Sequence, residues 1–277
     1  MEPQQRTVLA PDGRNRTYHL LDPLPARAAG GPEVPLVVAI HGGGESALRF
    51  HAASGFSRLA ETHLFVLAYP EGVGEHDESE PGRVRRRSWN AGRCCGAARR
   101  EGVDDAGFVS AMVDQLCEGL PIDQHRRYAV GHSNGGMLAL RLALERPGLF
   151  AGIGVQSASI AVDTPGPTVA THLIAVHGGS DRHHPIDGGR GPESSVESPY
   201  GSVREACERF RAVDGARVEL VEVAEGTHSW MGPDSATAAR RAEAEGRHIA
   251  GGPPFAGFDT AATIWGFLSE VSGTGPA

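Results

Sequence analysis

The sequence predicts an α/β fold, a mostly parallel central sheet with helices on both faces, built as a single domain over residues 1–277. Three observations predict it. Short continuous apolar runs at 35–40, 64–69 and 126–130 read as strands buried on both faces. Segments of helical spacing lie between them, at 51–62, at 103–120 and from Met137 to Leu142. Strand, loop, helix and strand therefore alternate along the chain, the order that builds a parallel sheet through crossover helices.

The 277 residues carry a net charge of -8, with 40% hydrophobic and 22% charged side chains. This is the composition of a soluble globular chain able to bury a large core, and it excludes a disordered one. The negative balance argues against a nucleic-acid backbone as partner, and the local run Arg83 to Arg87 reads as a solvated loop. The start, MEPQQRTVLAPDG, has neither a basic n-region nor an apolar h-region, and no apolar run approaches the roughly 18 residues of a membrane span. A cytoplasmic protein is expected as the sequence stands, or a secreted one if a signal was removed before numbering. Cys94, Cys95, Cys117 and Cys207 form no C-x-x-C pair and no zinc-ligand spacing. The adjacent Cys94 and Cys95 are expected to supply one member of a long-range disulfide in an exported protein, or to stay reduced in the cytosol.

From the N-terminus, Pro11-Asp12-Gly13 is a turn between two strand-like arms, which predicts an antiparallel hairpin at a sheet edge over 6–21. Residues 22–35 are a loop, PLVVAI at 35–40 a buried strand, 51–62 a helix and LFVLAYPEG at 64–72 another strand. The polar, Gly-rich stretch 74–101 is too long for an ordinary connection and is expected to shape the substrate site. Asp104 and Asp105 open the helix of 103–120 as its N-cap and first turn. Strands follow at 126–130, 151–159 and 171–176, a helix at 201–213, an alternating strand at 217–223 and a closing helix at 258–270.

Three stretches carry chemistry. Gly131-His132-Ser133-Asn134-Gly135 is a G-x-S-x-G pattern between an apolar strand and a helix, where the serine sits on a tight, strained turn with its hydroxyl held outward. His41-Gly42-Gly43-Gly44 follows a buried strand, and its unshielded N–H groups can face an anion; with the amide after the serine, this assigns an oxyanion hole to Gly43 and Asn134, with Gly44 as an alternative. Asp181 lies in the loop beyond the strand of 171–176, and His228 in the loop after the last strand. That completes the chain order Ser, Asp, His used by α/β-hydrolases, with Asp163 and Asp187 as rival acids. Trp89, Trp230 and His132 are candidate walls of the substrate site, although Trp89 could equally pin its loop to the body. The histidines His177, His183 and His184 lack any metal-binding spacing such as H-E-x-x-H, so neither metal nor cofactor is expected.

With RTYHL, VVAIHGGGES, AYPEG, SWNAGRCC, VDDAGFVSAMVDQL, YAVGHSNGGMLALRLALERPGLFA, AVHGGSDRHHPIDGG, GTHSWMG and FDTAATIWGFL in this order, the chain resembles the polyhydroxybutyrate depolymerase family of esterases. That family includes the LpqC-like lipoproteins and related feruloyl and acetylxylan esterases. The resemblance implies an α/β-hydrolase fold, Ser133 as nucleophile, Asp181 as triad acid and His228 as base. Many polymer-degrading members add a linker and a polymer-binding domain, for which this sequence shows no room, so solid polymer is not the expected substrate. The expected reaction is hydrolysis of a small or oligomeric ester of hydroxyalkanoate, feruloyl or acetyl type through an acyl-enzyme. Two alternatives are an acyltransferase or cyclase using the same triad, and a non-catalytic binding protein on the same scaffold. The sequence assigns no oligomeric state.

Overall fold

The computed structural model describes residues 1–24, 32–76, 84–194, 196, 199–244 and 251–273. The strands are β1 (Gln4–Leu9), β2 (Asn15–Leu21), β3 (Val34–Ile40), β4 (Val66–Pro70), β5 (Val73–His76), β6 (Val84–Ser88), β7 (Ile122–His132), β8 (Gly152–Gln156), β9 (His172–Gly178) and β10 (Val218–Val223). The helices are α1 (Ala47–Ser54), α2 (Phe56–His63), α3 (Gly96–Arg100), α4 (Asp105–Gly119), α5 (Ser133–Glu145), α6 (Val203–Arg211), α7 (Pro233–Ala244) and α8 (Thr260–Leu268). The central sheet runs in the order β1-β2-β4-β3-β7-β8-β9-β10. From β4 to β10 every pairing is parallel, and the predicted hairpin β1–β2 adds to β4 in antiparallel sense.

The continuous apolar strands are explained by burial on both faces. In β3, Leu36, Val38 and Ile40 join Phe108, Met112, Leu138 and Leu142 of α4 and α5. Val37 and Ala39 of the same strand face the opposite layer, with Phe50, Phe56, Trp265 and Leu268 of α1, α2 and α8. Each large apolar side chain enclosed in this way contributes roughly 1.5–3 kcal/mol relative to exposure. The pattern brings the C-terminal ends of β3, β7, β8 and β9 side by side, and the loops that leave those ends carry the chemistry-bearing residues.

The structure departs from expectation at four places. The helix expected over 51–62 is two helices that meet at Gly55, whose φ of +82° no side-chain-bearing residue adopts without strain. The stretch 74–101 holds the β5–β6 ribbon and α3; an Arg-rich strand has no apolar alternation to reveal it, and residues 77–83, including Arg83, lie outside the described residues, as do 25–31 of the loop 22–35. Cys94 and Cys95 form a disulfide with each other rather than reaching a distant partner or staying reduced, while Cys117 and Cys207 are free. Helix α7 was not anticipated, because PDSATAARRAEA offers only alanines as its buried stripe, Ala236, Ala239 and Ala242.

Asp104 and Asp105 divide their work. Asp104 caps α4 by accepting from the Gly107 amide at 2.8 Å. Asp105 is fully enclosed, receives Arg16 Nη2 at 2.8 Å and the Asn90 amide at 2.7 Å, and so ties strand β2 and the 84–101 segment to one carboxylate. Among the described residues, no helix is long and apolar enough to cross a membrane.

Candidate active site

Strand β7 ends at His132 and α5 begins at Ser133, whose φ of +49° puts it in the left-handed region. Such a backbone costs of order 1–3 kcal/mol for a residue with a side chain and persists only where the surroundings enforce it. Here the enforcement is close packing. A Cβ at Gly135 would lie 2.3 Å from the His41 carbonyl oxygen, and one at Gly131 would lie 2.6 Å from the Gly135 backbone. Only glycine lets the turn approach the end of β3 this closely.

Ser133, Asp181 and His228, named separately from the sequence, are brought together. His228 Nε2 lies 2.9 Å from Ser133 Oγ, and its Nδ1 lies 2.8 Å from Asp181 Oδ2. The other Asp181 oxygen accepts the amides of His183 and His184, each at 2.9 Å. Burial pulls the Asp181 pKa upward, but the His228 hydrogen bond and charge, the His184 amide and nearby His177 outweigh it and hold the carboxyl well below its ordinary value. The rival acids are elsewhere: the side chain of Asp163 is 81% exposed beside Arg93, and that of Asp187 is 76% exposed beside Arg204.

Facing Ser133 is the His41–Ser46 loop. The Gly42 amide is taken by Glu45 Oε2 at 3.2 Å and the Gly44 amide by the Arg87 carbonyl at 2.7 Å. That removes Gly44 as the alternative to Gly43, whose Cα packs toward Asn134 with a Cβ position 3.6 Å from the Asn134 Cβ. The loop is braced from behind. His41 is completely buried; its Nδ1 donates to the Gly42 carbonyl at 2.8 Å and its Nε2 accepts the Gly72 amide at 3.0 Å. Glu71, reached by Arg87 at 3.1 Å, accepts the Ala47 amide at 3.1 Å.

A family model described as esterase PHB depolymerase matches residues 17–192, nearly two thirds of the chain. The chain belongs to this PHB depolymerase esterase family. The matched residues include Ser133 and Asp181 and stop short of His228. Among curated relatives, the putative esterase NocK of Nocardia uniformis subsp. tsuyamanensis is 34% identical over 184 residues, 64% of this chain and 48% of that protein. Poly(3-hydroxyalkanoate) depolymerase C of Paucimonas lemoignei is 31% identical over 140 residues, 48% of this chain and 28% of that protein. The chain thus spans less than half the length of these relatives. The crystal structure of a thermostable esterase superposes with a TM-score of 0.53 at 17% identity, covering 98% of this chain and 63% of that one. Such neighbours place this PHB depolymerase family member in the α/β-hydrolase fold.

Three expected substrate walls are corrected by the family member's structure. Trp89 has no exposed surface; its Nε1 donates to the His41 carbonyl at 2.8 Å, and its backbone N–H and C=O pair with the Asn134 amide side chain at 2.7 and 3.1 Å, so it pins the 84–101 segment to the His41–Ser46 loop. Trp230 is 3% exposed, packs edge-on against Phe50 and donates to the Ser54 carbonyl. His132 is buried as well and points to the His228 backbone. A cavity of about 430 Å³ among Pro35, Leu59, Tyr128 and Trp265 lies at the opposite, N-terminal ends of the strands and contains none of the site residues.

One residue that sequence reasoning missed, Gln156, and one that it weighed only as a metal ligand, His183, lie close to the site. Gln156, fully buried at the end of β8, donates to the Ser229 carbonyl at 2.9 Å and accepts from the Met231 amide at 2.9 Å and Thr260 Oγ1 at 2.8 Å. Its signal was available: a lone amide closing the otherwise apolar strand GIGVQ must find partners inside. His183 lies ring to ring with His228, with centroids 5.0 Å apart. No group of His, Cys, Asp and Glu among the described residues is arranged to hold a metal ion.

Proposed function

We propose that this protein is a serine carboxylic ester hydrolase in which Ser133 is the nucleophile, His228 the general base and acid, and Asp181 the group that orients and charges-balances the imidazole. The observation that carries the reading is the unbroken chain from Ser133 Oγ through His228 to Asp181, at 2.9 and 2.8 Å. A free serine hydroxyl is a weak nucleophile near neutral pH, so attack on the ester carbonyl needs its proton to pass to His228 Nε2 as the C–O bond forms. The negative carbonyl oxygen is met by the Gly43 and Asn134 amides, and loss of one such donor costs roughly 3 kcal/mol in comparable sites. Collapse returns the His228 proton to the leaving alcohol and leaves an acyl-Ser133. Water, deprotonated by the same imidazole, then releases the carboxylic acid and restores the serine hydroxyl.

The family and the printed name of the depolymerase relative support an ester of the short hydroxyalkanoate type as substrate, with aromatic feruloyl esters as the second class that the sequence resemblance implies. The test pairs a chemical probe with a substrate panel. A fluorophosphonate should label the wild-type chain on Ser133 and leave Ser133→Ala unlabelled, and hydroxybutyrate oligomers, methyl ferulate, acetylxylan and 4-nitrophenyl esters should be hydrolysed only by the wild type. Equal labelling of both proteins, or turnover that survives Ser133→Ala, overturns the reading.

A further inference from the structure

The residue before the nucleophile, His132, sits where three parts of the site meet. Its Nε2 is 2.7 Å from the carbonyl oxygen of His228. A carbonyl only accepts, so Nε2 carries the proton and the neutral ring presents its lone pair at Nδ1. Nδ1 has no hydrogen-bond partner: it lies against Gly42, where a Cβ would come within 2.8 Å of it, and 4.0 Å from Glu45 Oε1. Glu45 in turn holds the Gly42 amide through its other oxygen at 3.2 Å. The far face of the ring meets the edge of Trp230, with centroids 6.0 Å apart. The ring therefore fills the space between the oxyanion loop and the loop of His228 while its own backbone delivers Ser133. Burial lowers the His132 pKa, which keeps the ring in the neutral form this bonding pattern requires.

We propose that His132 is a positioning residue: its Nε2–H donates to the His228 carbonyl and fixes the backbone from which the catalytic imidazole hangs, setting the reach of His228 Nε2 to Ser133. This rests on the assignment of Ser133 and His228 under Proposed function. The His228 ring also meets Asp181 on Nδ1, Ser133 on Nε2 and the rings of His132 and His183 with centroids 5.4 and 5.0 Å away, and the Ser133 contact must be exchanged during every turnover. Proton transfer is steeply sensitive to donor–acceptor distance, and a misplacement near 1 Å can cost on the order of 100-fold in rate. An imidazole whose main chain drifts loses rate, not affinity for substrate, because the enclosed His132 ring offers almost no surface for a substrate to touch.

The experiment compares three variants that differ in where a donor sits. His132→Gln places an amide nitrogen near the position of Nε2, His132→Asn near that of Nδ1, and His132→Leu supplies apolar bulk with no donor. With 4-nitrophenyl acetate, the Leu and Asn variants should lose 10- to 100-fold in kcat with KM within about twofold of wild type, and their second-order rate of labelling by a fluorophosphonate should fall in parallel. The Gln variant should recover to within about threefold. Thermal melts accompany each protein, and if the Leu variant does not fold, the Gln and Asn pair, both small polar amides, decides alone. Equal kcat in Gln and Asn, or full activity in Leu, overturns the positioning role. Ser133→Ala in the same assay separates the two levels: activity surviving in it sinks the triad assignment, whereas an inactive Ser133→Ala beside unaffected His132 variants sinks only this inference.

Discussion

The two loops that flank Ser133 are both gripped at the main chain by side chains, but what each must leave free differs. On the proposed oxyanion side, side chains grip the main chain from behind: His41, Trp89, Glu71 and the Asn134 side-chain amide bind carbonyls and amides of the His41–Ser46 loop and of the segments that back it. On the base side, the important partner is itself a side chain, and the loop carrying it is tethered through carbonyls, with His132 on that of His228 and Gln156 on that of Ser229. The difference follows from the work. An oxyanion hole acts by being in place before charge develops, so its geometry is built into buried structure. An imidazole must exchange partners between serine, leaving group and water, so it needs a fixed root and a free tip. Damage to the first loop should therefore appear in both stability and rate, and damage to the second mainly in rate.

The largest expected effect tests the base side. Asp181→Asn keeps the shape but removes the charge behind Nδ1 and offers the ring the wrong tautomer, so kcat should fall roughly 10³- to 10⁴-fold. Steady-state kinetics measured beside a melting curve check this, and a kcat within tenfold of wild type would remove Asp181 from its role.

Next in size is an acid sensitivity concentrated on the base side. Burial pushes His184 down to about 4, with a smaller contribution from His177, whose own pKa burial also lowers. An unfolded histidine takes up its proton near 6.5, so between about 6.5 and 4 the unfolded state binds more protons than the folded one and stability falls as pH falls. For His184 the full excursion is worth about 3 kcal/mol. Asp181, held below its ordinary range, adds a further loss once pH drops under the usual carboxylate pKa. Melting temperatures between pH 7.5 and 4 should decline steadily, and His184→Gln should flatten the decline; a level curve in the wild type contradicts the buried neutral histidine.

On the oxyanion side, Asn134→Ala removes the amide that satisfies both the N–H and the C=O of Trp89. Two buried backbone groups lose their partners, which should cost about 2–3 kcal/mol of stability together with a clear fall in kcat as the Asn134 turn relaxes. Denaturant melts and kcat measured on the same preparation show whether the two losses travel together. A variant that loses rate at unchanged stability would erase the contrast between the loops.

The sheet and the three central side chains were legible because their signals are local: apolar runs mark β3, β4, β7 and β9, and G-x-S-x-G marks the turn at Ser133. Asp181 and His228 followed from position just past strand ends, where an open α/β sheet collects polar groups. The bracing was not legible. Trp89 and Trp230 look alike in a sequence whether they line a pocket or fill a core, and only distances to the His41 and Ser54 carbonyls separate the two. His132 was noticed beside Ser133 and misplaced for the same reason, since nothing local says which loop its ring will meet. The Cys94–Cys95 disulfide is not legible either, because an adjacent pair carries no sign of whether each thiol's partner is its neighbour or lies across the chain.

The smallest effect is the sharpest probe of how the oxyanion loop is braced. Trp89→Phe keeps an aromatic ring in the core beside His41, whose ring centroid lies 4.8 Å from that of Trp89, and deletes only the Nε1 donor to the His41 carbonyl. The loss of that bond should cost about 1 kcal/mol of stability, somewhat more if the carbonyl stays buried and unpaired. Its effect on rate decides the comparison. The His41 carbonyl also bounds the space in which Gly135 packs, so a shift there reaches both the Gly43 loop and the Ser133 turn. If the loop is held by many contacts acting together, His41 Nδ1 and Glu71 retain it and kcat should drop less than tenfold, with KM unchanged. If that one indole sets the loop, the drop should approach the full cost of an oxyanion donor, roughly 100-fold.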